Sequence, residues 1–341
     1  MADTIAKPGG LSVMLRVSWP ILLILALLAF APTLSNALDN PFLVRLFTRA
    51  VIFAMAAVAL NFVLGFGGLV SLMHGGLAGI GAYAVAIMAF HDYDGSKFLG
   101  VFPGTSDLAI LIPVAMLAAG LGAALTGIVA LRTSGAYFIM ITLAFNQMLY
   151  YFFVALQQYG GDDGLQILSN LTLAGFDISR RATFYYVALV ALCAELFFFS
   201  RVVASRFGTI LQACAQNERR VTAIGIPPLR YKLAALAISG AAAGLAGALW
   251  ASGQQFVSPS ELSWDRSGDY IVMAVLGGTG RVWGPVLGAV VFVLLEAFLP
   301  AWTQFWQAPF GVVVILIVVF LRGGLIDLMG GSLARPTGGG R

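Results

Sequence analysis

Few residues of this chain could do chemistry, and their types and spacing exclude most kinds of it. Its two histidines, His74 and His91, and two cysteines, Cys193 and Cys214, are scattered. They lack the spacing of metal ligands or of a nucleophile with its base. No phosphate-cradling Gly-rich pattern ending in Lys-Ser or Lys-Thr occurs. The chain therefore reads as a non-enzyme, with no metal and no cofactor. What remains is polar groups embedded in apolar runs, whose chemistry is recognition and transfer. The stretch from Gly65 to Gly76 interrupts an apolar run with glycines and carries Ser71 and His74. A helix broken here would present backbone amides and a helix N-terminus to a zwitterionic solute. Ser71, His74 and Gly75 are thus candidates for a substrate pathway, with a hydrogen-bonded packing role as the alternative for His74. Glu195 and Glu296 lie within apolar runs, where a central charged residue costs roughly 2.5–3.5 kcal/mol to insert. Glu296 is a further pathway candidate, or it snorkels toward Pro300 and Trp302. Glu195 is expected to pair with a polar group or to face a subunit seam.

The longest polar stretch is Ser205 to Lys232, SRFGTILQACAQNERRVTAIGIPPLRYK. Phe207, Ile210, Leu211 and Cys214 recur at helical spacing; the stripe then slips in phase and resumes at Val221 and Ile224. Opposite it lie Arg206, Gln212, Gln216, Asn217, Arg219 and Arg220. The slip predicts two short amphipathic helices joined near Gln216–Glu218. Pro227 and Pro228 lack backbone donors, so they end this element and open the next helix. Membrane spans are usually joined by short loops, so an internal island of this size reads as a docking surface for a soluble subunit. A helix lying on anionic headgroups is the alternative, but Gln216, Asn217 and Glu218 interrupt the basic face such a helix would keep clean.

Membrane helices must position these groups. Of 341 residues, 60% are hydrophobic and only 10% charged, against roughly 25% charged in soluble domains. So little charge cannot cover a soluble globule, and the chain reads as an all-α polytopic membrane protein. With about 20 apolar residues needed per crossing, about ten segments qualify: 16–34, 43–64, 68–90, 108–131, 134–157, 181–203, 228–253, 267–279, 283–301 and 307–323. Segment 267–279 is short enough to be a half-helix. The run Ile21–Phe30 is followed by no convincing cleavage site and reads as an uncleaved first span.

The basic residues orient the chain. With the N-terminus cytoplasmic, Arg45, Arg49, Lys97, Arg180, Arg181 and Arg266 fall outside, and the other thirteen of the 19 lysines and arginines fall inside. That topology makes 1–15 and 332–341 cytoplasmic tails and 16–331 the transmembrane domain, with 205–227 at the cytoplasmic face. The loop 157–181, rich in Gly, Asp and Asn, lies on the outer side. Arg180, Arg181 and Arg266 become candidates for docking an extracytoplasmic protein. The net charge of +4 comes from orienting arginines and implies no nucleic-acid partner.

Several segments, taken in order, carry a resemblance. They are GFGGLVSLMHGGLAGIGAYAVAIM (65–88), Leu131-Arg132 followed by SGAYFIMITLAFNQM (134–148), YGGDDGL (159–165), the polar island, and VLGGTGRVWGPVLGA (275–289). Together they resemble permeases of branched-chain amino acid ABC importers, of the LivM-type subunit, over nearly the whole chain. The resemblance implies a type II-like importer fold in the bacterial inner membrane. It also implies a paralogous permease subunit as heterodimer partner, two ATP-binding subunits, and a periplasmic binding protein that sets most of the specificity. The island would be the coupling segment seated in a groove of an ATPase subunit. Asn217, Glu218, Ala223 and Gly225 match the family's NExxAxALGI positions, and the coupling role is carried over to them. Tyr159 stands where the family usually has Thr, and Arg219 and Arg220 where small residues are more common.

The resemblance leaves urea and short amides open beside branched-chain or other hydrophobic amino acids. An ion-coupled secondary transporter would need paired ionisable groups at the midplane, and only Glu195, Glu296 and His74 qualify.

Overall fold

The computed structural model describes residues 28–30, 32–33, 41–98, 100, 102–169, 171–178, 180–302, 305, 307–320 and 323–328. The tails 1–15 and 332–341 and most of the first expected span lie outside them. Helix α1, Pro41–Asn61, continues into a π-helical turn, Phe62–Phe66, and is buried along most of its length. It is followed by α2 (His74–Asp94), α3 (Leu108–Ala130), α4 (Ala136–Ala155) and α5 (Arg181–Ala204). The island forms α6 (Arg206–Gln216) and α7 (Glu218–Ala223). Then come α8 (Pro228–Gln254), α9 (Trp264–Gly277), α10 (Gly284–Phe298), α11 (Gln307–Phe320) and α12 (Leu325–Leu328). The strands are two-residue antiparallel pairs in the connections: β1 (Lys97–Phe98) with β2 (Phe102–Pro103), β3 (Leu165–Gln166) with β6 (Phe256–Val257), and β4 (Thr172–Leu173) with β5 (Phe176–Asp177).

Among the described residues, 6 helices are long and apolar enough to cross a bilayer, spanning 42–66, 108–130, 136–155, 181–204, 228–254 and 284–301. The expected segment 16–34 lies mostly outside the described residues, and 307–323 is described only in part; for 68–90 and 267–279 the difference has physical causes. Helix α2 is 21 residues long, but glycine and alanine replace the large apolar side chains, because the helix is buried inside the bundle. It starts at His74 rather than near residue 68, since the chain leaves helical geometry at Gly68 (φ +65°). Helix α9 has 14 residues, about 21 Å at 1.5 Å per residue. It is a half-helix.

Between helices in lipid there is no hydrophobic drive, so close packing of small residues decides who pairs with whom. Helix α8 threads between α2 and α3 on such faces. A methyl on Gly81 would strike the Gly244 backbone, and one on Gly247 would strike the Ala78 carbonyl. Gly240 and Gly244 meet Ala123 and Ala119 of α3. Large side chains of α3 and α4 point outward instead, among them Leu117, Leu121, Leu125, Tyr137, Met140 and Tyr151.

After α8 the chain folds back into the bundle. Gln255 turns it (φ +53°), β6 pairs with β3, and a 3-10 turn, Pro259–Leu262, leads into α9. Leu262 is fully buried against Gly79 of α2, and its carbonyl accepts from Asn146 Nδ2 of α4 at 2.7 Å. Irregular backbone at membrane depth is tolerated only inside protein or beside water; here Val257, Pro259 and Leu262 are buried, while Phe256 and Ser260 stay exposed. The loop 157–181 is ordered by 3-10 turns at Gln157–Tyr159 and Gly161–Asp163, by β3, and by the β4–β5 hairpin.

Candidate functional site

The break before α2 brings the predicted Ser71, His74 and Gly75 together, all buried. The first amides of a helix have no partner within it, and here neighbouring helices supply one. Gly75 N donates to Ser267 Oγ of α9 at 2.8 Å and Gly76 N to Asn146 Oδ1 of α4 at 2.7 Å. Leu72 N donates to Thr142 Oγ1 at 3.2 Å. The Ser239 hydroxyl of α8 gives its only proton to the Ala59 carbonyl, so His74, 2.7 Å away, must donate from Nε2. Its Nδ1 is then the acceptor nitrogen, buried with no partner among the described residues. Five helices converge on this cap: α1, α2, α4, α8 and α9. In this conformation the amides expected to greet a solute are occupied by protein.

Glu296 lies apart from that cap and does not snorkel. Arg49 Nη2 of α1 donates to both of its carboxylate oxygens at 2.6 Å. Arg266 is likewise not in an outer loop. It occupies the first turn of α9, with Nε 3.1 Å from Glu261 Oε2, Nη2 3.2 Å from Oε1, and Nη1 3.7 Å from Asp269. Both guanidinium groups lie over the Phe53 ring, at 5.0 Å for Arg49 and 5.6 Å for Arg266. Phe53 is twelve residues into α1, about 18 Å along the helix. Two arginines and three carboxylates therefore share the middle of the bundle, each half-buried and paired. Isolated charges at that depth would be prohibitive; charge pairing and contact with an aromatic face make them tolerable.

Glu195 behaves differently. It is 5% exposed in α5, and neither carboxylate oxygen has a hydrogen-bond partner among the described residues. Arg180 caps α5 and Arg181 opens it, both exposed, so they stay together while Arg266 is elsewhere.

The island folds into the two helices that its slipped stripe predicts, but the stripe ends at Val221: Ile224, expected on the inner face, lies past the end of α7 and is exposed. Ser205 caps α6, accepting from Gly208 N at 3.4 Å, and Leu211 and Cys214 face inward. Burial pushes the Cys214 thiol up, partly offset by the Lys232 ammonium. Asn217 leaves helical geometry, and its Oδ1 accepts from Arg220 N at 3.1 Å, capping α7. Glu218 pairs with Lys232 of α8. Ala223 ends α7, and Gly225 (φ +83°) turns the chain to Pro227 in open space, leaving Ile224 72% exposed. The pair packs beneath the helix break: a Cβ on Gly68 would sit 3.1 Å from that of Ala215 in α6. Beside it is a cavity of about 710 Å³ lined by Gly67, Arg132, Asn217, Glu218, Thr222 and Lys232.

Polar residues that the sequence reading passed over complete the frame. Asn61 accepts from Gly280 N at 3.1 Å and donates to the Arg281 carbonyl at 2.9 Å, clamping the end of α1 to the turn before α10. Asn146 clamps α2 to Leu262 in the same manner. Their sequence signal is an amide inside an apolar run. Tyr159, in place of the usual Thr, lies 3.1 Å from His91 Nε2 through its hydroxyl, while His91 Nδ1 meets Ser96 at 2.6 Å.

The chain is 28% identical over 315 residues to the high-affinity branched-chain amino acid transport system permease protein LivM of Escherichia coli K12, covering 85% of this chain and 71% of that protein. It has the same identity and coverage with LivM of Salmonella typhimurium LT2. A probable branched-chain amino acid transport permease protein LivM of Methanocaldococcus jannaschii is 26% identical over 164 residues, 43% of this chain and 47% of that one. No solved structure matches. The family profile described as "Branched-chain amino acid transport system / permease component" matches residues 42–321, which include the helix break, both asparagine clamps and the α6–α7 pair, and the chain belongs to that family.

Proposed function

We propose that the chain is the membrane-spanning permease subunit of an ATP-driven importer for branched-chain or other hydrophobic amino acids. It sits in the bacterial inner membrane with both termini cytoplasmic. A paralogous permease completes the membrane core, two ATP-binding subunits drive it, and a periplasmic binding protein delivers the solute. The observation that carries this reading is the α6–α7 pair. Its inner face is anchored by Leu211, Cys214 and Val221, while Glu218, Arg219, Arg220 and Ile224 stay exposed beside the 710 Å³ cavity. Asn217, Glu218, Ala223 and Gly225 shape that outer surface for an ATPase groove.

Motion of the pair would pass through the Ala215–Gly68 contact to the helix break, and from there to the α2 cap built by Asn146, Ser239 and Ser267. Ser71, His74 and Gly75 then act as a latch, closed here by hydrogen bonds between helices. Opening it would free the amides of α2 for a polar solute. Glu296 would serve the pathway wall through its Arg49 pair. Arg180 and Arg181 are placed to meet a binding protein, whereas Arg266 is a structural cation of the bundle.

Co-purification tests the reading. An ATPase should accompany the wild-type chain and be lost on Glu218→Ala combined with Ile224→Asp, with leucine uptake into vesicles lost alongside. Retained association and uptake would refute the coupling assignment. A cognate binding protein that holds urea but no leucine-like ligand would refute the substrate class.

A further inference from the structure

A cavity of about 430 Å³ opens among the ends of α1, α5 and α8 and the loop before α5. Orienting the chain by its basic residues puts those ends on the outer side. Three guanidinium groups line it: Arg45 and Arg49 on consecutive turns of α1, and Arg181 at the first position of α5. Among the described residues no carboxylate answers Arg45 or Arg181, both of which are exposed. Arg49, at the inner end, is already committed to Glu296. The hydroxyls of Thr48 and Ser252 donate to carbonyls of their own helices, so recognition in the cavity falls to the arginines. The positive end of the α5 dipole adds to the field, since the cap residue Arg180 supplies no side-chain acceptor. Ile52, Phe184 and Trp250 close one side with apolar surface. Two cations without counter-ions among the described residues, beside a third and over an apolar wall, make a receptor for an anionic head with an apolar body.

We infer that this cavity is an anion-binding site, taking either the carboxylate of an incoming amino acid or the phosphate of a lipid headgroup. The carboxylate source rests on the importer reading above; the lipid source does not. An anion seated here also competes with Glu296 for Arg49, loosening the α1–α10 link from the outer side.

The test uses Arg45→Gln in the full transporter, because that side chain is exposed, has no ion pair among the described residues and carries no docking role. Native mass spectrometry of the purified protein titrated with phosphatidylglycerol or phosphatidylcholine reads the lipid source. Wild type should hold phosphatidylglycerol about tenfold more tightly than the variant, one hydrogen bond to a charged group, with phosphatidylcholine unchanged. Leucine uptake in phosphatidylcholine vesicles reads the carboxylate source. The variant's maximal rate should fall about tenfold on the same reckoning, at an unchanged half-saturating concentration of loaded binding protein. Either result supports the site and names its source. Equality of variant and wild type in both arms overturns it, as does a rise confined to the half-saturating concentration of binding protein. A wild type that takes up no leucine would fail the importer reading instead, and the lipid arm would still decide the cavity.

Discussion

At the scale of single residues, the consequential finding is that Arg49 and Glu296 form a charge pair that joins two helices inside the bundle. Arg49 and Glu296 are 247 positions apart in sequence and meet at 2.6 Å, 26% and 22% exposed. Removing one partner leaves the other charge stranded. Arg49→Met should therefore destabilise the protein by about 2–3 kcal/mol, below the full cost for a buried pair because some solvent reaches it. Arg49→Met with Glu296→Leu should recover most of that loss. Thermal unfolding in detergent measures both, and equal losses in the single and double variants would refute the pairing argument. Cys214 offers a pH test. Burial raises its thiol, so the thiolate fraction is small near neutrality and grows only as pH climbs. Labelling by an impermeant maleimide at pH 7 should lag an exposed reference cysteine and rise with pH; fast labelling at pH 7 would place the thiol in water. The sequence pointed to His74, Ser71 and Glu296 because polar groups in apolar runs are conspicuous. It could not pair them, because helical spacing says which face a residue occupies and nothing about which helix lies opposite.

At the scale of elements, a helix that starts inside a membrane needs partners for its first amides. Helix α2 takes them from Ser267 and Asn146, on elements that follow it by 70 or more residues. Beneath this cap, Gly68 combines a positive φ with close approach to Ala215. Gly68→Val meets both restrictions, at a cost of order 1–3 kcal/mol for the backbone alone, and pushes α6 away from the break. If the pair transmits motion through this contact, the variant transporter should keep ATP hydrolysis and lose uptake. Parallel loss of both activities would show simple misfolding, and full uptake would remove the contact from the relay. The island was readable because its apolar stripe slips in phase and ends at two prolines. The half-helix α9 was only half-readable: its length set it apart, while the fold-back of Phe256–Ser263 left no periodic trace.

At the scale of the whole molecule, the topology makes a direct prediction. Reporter domains inserted at Gly175 and Gly225, both turn glycines with open space around them, should report opposite sides, the first extracytoplasmic and the second cytoplasmic. Signals from the same side would overturn the orientation and with it the coupling assignment. By itself, the sequence determined the membrane class, the helical fold and the amphipathic pair, since those follow from composition, local period and helix-ending residues. Its motif order pointed to the family. Tertiary structure alone decided that Arg266 lies within the bundle, that α2 is capped by other helices, and that three arginines converge on one cavity. The reason is physical. Local pattern encodes how each segment meets a bilayer, whereas burying polar groups safely requires partners that only the packing of distant segments can supply.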